Sequence, residues 1–189
     1  MGTISKVLMI LFCVAFLFQT GPVLADKSPE ELAKESEEAC TASEKTKPTV
    51  QMIIDKVNKA CELLAKEGKA AFPKFKGKDS EFIFAGTYIW IHDMNGVMLM
   101  HPIKFKLDGQ SVTGMKDTAG KFLFIEMNKV CKEKGAGWVD YMWPKPGEKD
   151  PSRKVSYVKL VKAPDGSELV AGCGVYDLPT AEVDKLVSK

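Results

Sequence analysis

Histidine is scarce in this chain of 189 residues: there are two, His92 and His101. A serine or cysteine nucleophile therefore has only those two imidazoles to call on as a base. No Gly-x-Ser-x-Gly, His-Glu-x-x-His, Walker or Gly-x-Gly-x-x-Gly motif occurs, so the familiar hydrolase, zinc-protease and nucleotide-binding signatures are absent. No Cys-x-x-Cys occurs either, which argues against a thioredoxin-like centre and excludes c-type haem attachment. Charge of one sign is also lacking. Lys+Arg 27 against Asp+Glu 25 gives a formal net charge of +2, too little for a general attraction to nucleic acid or membrane. There is no internal repeat and no low-complexity tract. Beyond the first residues no apolar run is long enough to span a bilayer.

The first residues are of another kind. Lys6 precedes an apolar run from Val7 to Phe18, and Val23-Leu24-Ala25 offers small residues at the expected cleavage positions. These are the parts of a secretory signal peptide over residues 1–25, with Asp26 as the new N-terminus and a periplasmic destination. Its removal takes 25 of 189 residues and leaves 164, enough for one domain with a true core. The only charge lost is that of Lys6, so the balance becomes 26 against 25. Four cysteines remain, Cys40, Cys61, Cys131 and Cys173. In an oxidising compartment they permit two disulfides in three connectivities, and free buried thiols are the equal alternative.

Ser28-Pro29-Glu30-Glu31 reads as a helix start, with Ser as N-cap, Pro at N1 and Glu reaching back from N3. This first helix is charged and thinly apolar, and Pro48 closes it off. From Val50 the pattern sharpens: Val50, Ile53, Ile54, Val57, Cys61 and Leu64 form one stripe at helical spacing, ended by Gly68. Strand-like alternation follows over Phe82–His92 and Val97–His101, around Asn95-Gly96, the strongest short-range hairpin signal. A two-residue turn there pairs Trp90 with His101 and Tyr88 with Ile103, and a four-residue turn keeps the faces. Either way Tyr88, Trp90, His92 and His101 share one face.

Residues 102–120 form a long connection with little periodicity, and a loop of that length is read as functional. Phe122–Lys134 is a helix, with Phe122, Ile125, Val130 and Cys131 expected to be buried. Trp138–Trp143, Arg153–Val161 and Glu168–Tyr176 are strands joined by turns at Pro144–Gly147 and Asp165-Gly166, and Thr180 caps a short final helix. The order predicts an α+β domain with an antiparallel sheet covered by helices. Its boundaries are expected at 26–47 for the charged helix, 48–178 for the ligand-binding domain and 179–189 for a tail.

Three strands carry polar aromatics or a cation two residues apart: Tyr88 and Trp90, Tyr141 and Trp143, Tyr157 and Lys159. Such side chains make apolar walls with fixed donors, and a donor-rich pocket favours an anion; the smallest with an apolar end are short carboxylates. Gly172-Cys173-Gly174 reads as strand glycines that let something pack closely, rather than as a reactive thiol. His92 and His101 have no third partner for a metal, so no metal, cofactor or catalytic residue is assigned.

The runs Y-I-W-I-H-D-M-N-G-V-M-L-M-H-P-I, L-D-G-Q-S-V, M-K-D-T-A-G-K, G-A-G-W-V-D-Y-M-W-P-K-P-G, K-V-S-Y-V-K and G-C-G-V-Y-D, in this order over Lys47 to Asp177, together resemble the single Cache domain family of extracytoplasmic sensors. The resemblance implies a PAS-like antiparallel sheet of about five strands against a long N-terminal helix, enclosing a small ligand that is often a short carboxylate. It places Tyr88, Trp90, His101, Tyr141, Trp143, Tyr157 and Lys159 around that pocket, with Lys104 from the loop as a further ligand-binding candidate. The chain then reads as a free-standing exported domain, monomer or weak dimer, that works with a membrane histidine kinase or chemoreceptor. Two rival readings are a small enzyme using His101 as acid or base, and an accessory module docking through residues 29–46.

Overall fold

The computed structural model describes residues 27–188; the expected signal peptide lies outside them. Helix α1 spans Pro29–Ala42. Ser28 and Glu31 close its capping box as read, the Glu31 amide donating to Ser28 Oγ at 3.2 Å and the Ser28 amide to Glu31 Oε2 at 2.8 Å. Helix α2 spans Val50–Glu67 with Thr49 as N-cap. Its stripe is confirmed in substance: Ile53, Val57, Ala60, Cys61 and Leu64 are buried. A 3₁₀ segment, Gly68–Phe75, follows.

The run Phe82–His92 is not one strand. It folds back on itself as β1, Ile83–Phe84, and β2, Thr87–Asp93. Ala85 and Gly86 connect them with positive φ, 48° and 75°, the pairing and handedness of a two-residue type I′ turn. Alanine in the first position hides that turn from the sequence, because Asn, Asp or Gly is the usual signal there. The expected sheet of about five strands thus has six.

The next hairpin also differs from both turns weighed. Ile91 pairs with Met100, as the two-residue turn requires, but His92 pairs with Met98 across a bulge. The Asp93 amide donates to Val97 O, and the loop between holds Gly96 at φ 75°. This is a three-residue loop whose last member needs the left-handed region. Strand β3 is short, Met98–Met100. Odd and even residues keep the faces assigned to them.

Residues 102–120 are ordered by main-chain pairing with β3 and its turn. Met98 N donates to Gln110 O, Gly109 N to Met98 O, and Val112 N to Gly96 O. Helix α3 spans Leu123–Lys134. Its inward face is corrected: Leu123, Phe124, Met127 and Cys131 are buried, while Phe122 and Ile125 are more than 40% exposed. The apolar residues are too evenly spread around this helix for spacing alone to choose a face.

Strands β4, Ala136–Pro144, β5, Pro151–Lys162, and β6, Glu168–Tyr176, form a meander. Helix α4, Thr180–Val187, closes the described chain and buries Val183 and Leu186. The antiparallel sheet runs β1-β2-β6-β5-β4, with β3 beside β2. It is an α+β fold.

One face of the sheet is closed by α2, which packs on Ile89, Ile91, Val155, Leu169, Ala171, Cys173 and Val175. The other face carries Tyr88, Trp90, Val139, Tyr141, Val158 and Val170, and is covered by α3 and Cys40 of α1. All four cysteines among the described residues are free and buried, so neither disulfide forms. Burial raises the thiols of Cys40, Cys61 and Cys131 to about 12 and that of Cys173 to about 11, which leaves them inert.

Candidate functional site

The site is built on the face away from α2. Strand parity puts Tyr88 and Trp90 of β2 on it, and β4 adds Tyr141 and Trp143. Tyr141 pairs with Lys154, so β5 presents Lys154 there, and next along the same side Ser156. Opposite these, β6 offers only the hydrogen atoms of Gly172 and Gly174: Trp90 pairs with Gly172, and Ser156 with Gly174. A Cβ on Gly172 would lie 2.3 Å from the Trp90 ring, and one on Gly174 would lie 2.1 Å from Ser156 Oγ and 2.4 Å from Lys154 Cε. The two glycines are the seats of an indole and an ammonium stem, so the close-packing reading of Gly172-Cys173-Gly174 fits.

His101 arrives from the end of β3, its ring 5.0 Å from that of Tyr88 and 6.5 Å from that of Trp143. Leu123 and Phe124 of α3 supply the roof. Together with Tyr88, Trp90, His101, Tyr141, Trp143 and Lys154 they line a narrow hollow with a cavity volume of about 10 Å³. Every lining residue except the half-buried Trp143 is at least nine-tenths buried. That volume is about the space of a single water, so a guest of a few heavy atoms enters only as the lining side chains move apart.

Lys154 dominates the electrostatics. It is 1% exposed. Its ammonium lies 4.5 Å from the centre of the Tyr88 ring, 4.9 Å from that of Tyr176 and 5.3 Å from that of Trp90. Among the described residues no carboxylate pairs with it. The ring faces favour the cation, but desolvation outweighs them and lowers Lys154 to about 8.

His101 is tuned the other way from a catalytic base. Its Nδ1 accepts from the main-chain amides of Ile103 at 3.2 Å and Lys104 at 2.9 Å. The proton therefore sits on Nε2, which is a donor. Burial, then Lys154, Lys104 and Lys76, hold the imidazole well below its usual range, so it stays neutral. The Tyr141 hydroxyl and Ser156 Oγ share a hydrogen bond of 2.9 Å, and burial pushes Tyr141 well up. The buried Trp90 Nε1–H has no acceptor among the described residues. The walls thus hold a cation and several N–H and O–H groups, with no anion to balance them.

Of the eight ligand-binding candidates, Tyr88, Trp90, His101, Tyr141 and Trp143 are brought together. Lys104 stands exposed at the rim, its ammonium 5.6 Å from the Trp143 ring. Tyr157 and Lys159 are on the opposite face. Tyr157 pairs with Trp138, its ring 5.2 Å away, against the α2 core. The Lys159 ammonium donates to Asn58 Oδ1 of α2 at 2.7 Å. Correct spacing within β5 was joined to the wrong face. His92 shares the site's face but lies beyond the hollow, beside Phe124 and Asn128.

Sequence reasoning missed Lys154, which lies in the same K-V-S-Y-V-K run one parity off. The signal that could have found it is the turn: pairing Pro144 with Pro151 sets Lys154 opposite Tyr141. A wider groove of about 160 Å³ opens beyond Tyr176, but it is solvent-open, and its Lys145 is paired with Asp177 at 2.8 Å.

An antiparallel sheet wrapped around a small, partly charged hollow defines a ligand-sensing type of domain. The family model described as a Cache domain matches residues 29–180. The chain belongs to the Cache domain family, whose members are extracytoplasmic sensors. The methyl-accepting chemotaxis protein McpP of Pseudomonas putida is 43% identical over 89 residues, 47% of this chain. The match spans only 16% of that relative's own length. A solved structure described as the periplasmic sensor domain of a chemotaxis protein is 31% identical, with 78% of this chain and 90% of that one covered and a TM-score of 0.48. Another, described as showing carboxylic acid recognition by a Cache chemosensory domain, is also 31% identical, covering 77% and 88%, at a TM-score of 0.48. A methyl-accepting chemotaxis protein from Vibrio parahaemolyticus, 19% identical with 77% and 96% covered, has a TM-score of 0.51, which speaks for the fold alone. No helix of the described residues is long and apolar enough to cross a membrane.

Proposed function

We propose that the hollow captures a small organic anion, a short-chain carboxylate, and that the protein is the ligand-binding component of a sensory system outside the cytoplasm. One observation carries this: Lys154 is a buried ammonium with no carboxylate beside it among the described residues. An uncompensated buried charge is costly, and a bound anion removes that cost. The carboxylate end takes Lys154, with the Nε2–H of His101 and the tyrosine hydroxyls as further donors. The alkyl end rests on Trp90, Leu123 and Phe124. A charge-assisted hydrogen bond contributes roughly 1.5–3 kcal/mol, so two of them suffice to hold a ligand of few atoms. The carboxylic acid named for the 31% identical Cache chemosensory domain belongs to that protein; for this chain the case rests on Lys154 and the donors around it.

Export by residues 1–25 to the periplasm and delivery of the ligand state to a membrane histidine kinase or chemoreceptor complete the reading. Acid–base catalysis by His101 is disfavoured: its one lone-pair nitrogen is taken by two main-chain amides. The test is a thermal-shift screen of small organic acids, amines and neutral polyols. A ligand that binds only the folded state raises Tm by mass action, by about 2.7 kcal/mol of stability at a hundred times Kd. Short monocarboxylates should raise Tm, and Lys154→Met should abolish the rise. A shift with amines or polyols and none with acids would overturn the assignment.

A further inference from the structure

We propose that Lys154 is a covalent receptor: its amine forms a reversible imine with a small 2-oxo acid or aldehyde held in the hollow, so that the site discriminates carbonyl ligands from their hydroxyl counterparts. This rests on the hollow described above, but asks more of Lys154 than a charge.

Three observations carry it. The amine is not tied to an acid; it is surrounded by ring faces at 4.5 to 5.3 Å, which cannot take up its lone pair. The hollow that it lines is nearly closed to water, which favours an imine over its hydrolysis. Hydroxyl groups stand next to it. The point 2.4 Å from Lys154 Cε that a Cβ of Gly174 would occupy is 2.1 Å from Ser156 Oγ, and Ser156 Oγ is 2.9 Å from the Tyr141 hydroxyl. That pair can hand a proton to a leaving oxygen and receive one back.

Lysines used as Schiff-base nucleophiles are buried in apolar surroundings that free the amine. Burial does the same here, lowering the group to about 8. At neutral pH its free-amine fraction is then more than about a hundred times that of an exposed lysine.

The chemistry balances without an oxidant or reductant. The amine lone pair forms a C–N bond to the carbonyl carbon. The C=O π pair moves to oxygen, which takes a proton, and the nitrogen loses one. The carbinolamine hydroxyl then leaves as water with a second proton, handed over by the Ser156–Tyr141 hydroxyl pair, while the nitrogen lone pair closes the C=N bond; the iminium so formed gives its remaining N–H proton back to that pair. Amine and carbonyl give imine and water, and hydrolysis reverses the sequence. The ligand carboxylate is left to the Nε2–H of His101 and the Trp90 N–H, which has no acceptor among the described residues.

The experiment uses the full chain with pyruvate, with lactate and acetate as carbonyl-free comparators, each with sodium cyanoborohydride. Intact mass and peptide mapping follow. One reduced adduct on Lys154 is expected with pyruvate, none with lactate or acetate, and excess acetate should suppress it. Lys154→Arg keeps the charge and should lose the adduct while retaining an acetate thermal shift. If pyruvate raises Tm but leaves Lys154 unmodified, or if adducts scatter over surface lysines, the imine is refuted and the anion site stands. If no acid changes Tm and no adduct forms, both proposals fail.

Discussion

Lys154 is held at a cost. Its ordinary pKa of 10.5 falls to about 8 in the fold. A lysine depressed in this way destabilises the folded state while it is charged, by about 1.4 kcal/mol per unit, or about 3 kcal/mol in full. The sign follows from proton counting. Below about 8 both states carry the proton and the penalty is complete. Between about 8 and 10.5 the unfolded chain holds the proton that the folded chain has shed, so stability rises with pH; above 10.5 the penalty is gone. Lys154→Met, which keeps the stem and removes the charge, should therefore make the empty protein more stable by about 2–3 kcal/mol at pH 7, a gain that vanishes near pH 10.5. Urea unfolding at the two pH values checks it. Loss of anion binding in the same variant would show stability given up for function. An unchanged or lowered urea midpoint would mean that the ring faces fully compensate the charge.

Tyr88, Trp90, Tyr141 and Trp143 were legible because each lies on a strand whose alternation is plain, and His101 because it directly follows one; parity is the one thing a strand sequence states reliably. Lys154 was not legible for the same reason turned round. Along β5 both parities carry a polar aromatic, a cation or a hydroxyl: Lys154 and Ser156 on one side, Tyr157 and Lys159 on the other. Only pairing with β4 decides between them. The role of Trp90 as an unpartnered donor depends on burial by α3 and β6, which local spacing does not carry.

At the scale of elements, β6 shapes the site by what it omits. Val170, Gly172 and Gly174 face the hollow side, and Leu169, Ala171, Cys173 and Val175 face α2. A methyl group at 174 meets Ser156 and the Lys154 stem, and a methyl at 172 meets the Trp90 ring. Gly174→Ala is expected to cost about 1–3 kcal/mol, the usual cost of overpacking, and to displace the ammonium. Anion affinity should fall with little change in secondary structure by circular dichroism. Gly172→Ala should instead shift the Trp90 ring and its fluorescence. Full ligand affinity in Gly174→Ala would show that Lys154 is not the anchor.

The hairpins show where element-level reading stopped. Asn95-Gly96 announced a turn, and one came. Ala85-Gly86 did not announce itself, since alanine seldom occupies a left-handed position, which costs roughly 1–2 kcal/mol. Helices α1 and α2 were readable from caps and stripe. The inward side of α3 was not, because Phe122 and Ile125 are as apolar as the Leu123 and Phe124 that are buried in their place.

At the scale of the whole molecule, the α+β class and the sequential strand meander followed from alternation and turns. The insertion of β6 between β2 and β5 is a non-local pairing that joins the first hairpin to the last strand, and no local signal specifies it. That pairing closes the hollow and buries both histidines, which gives the domain a shared pH response. His92 is fully buried. Its Nε2 is hydrogen-bonded to Asn128 Oδ1 at 2.9 Å, and its Nδ1 has no partner among the described residues. Burial lowers it to about 4, against smaller opposing effects of Asn128 and Asp93; His101 is lowered as well.

Both histidines fold neutral, while the unfolded chain takes up their protons near 6.5. Their contribution to stability should thus be level above about pH 7 and fall as pH drops from 6.5 toward 4, by up to about 1.4 kcal/mol per unit for each histidine. The paired carboxylates Asp140 and Glu81 are themselves lowered, so their contribution is lost only at more acid pH, below about 4. The window from pH 5 to 6.5 therefore belongs to the two imidazoles. Urea midpoints across it should slope steeply in the wild type. The slope should drop by about half in His92→Gln, which keeps a donor toward Asn128 and cannot titrate, with His101 providing the rest. A flat wild-type profile between pH 5 and 6.5 would mean that the imidazoles gain protons without opening the fold, and that the hollow is wetter than its lining implies.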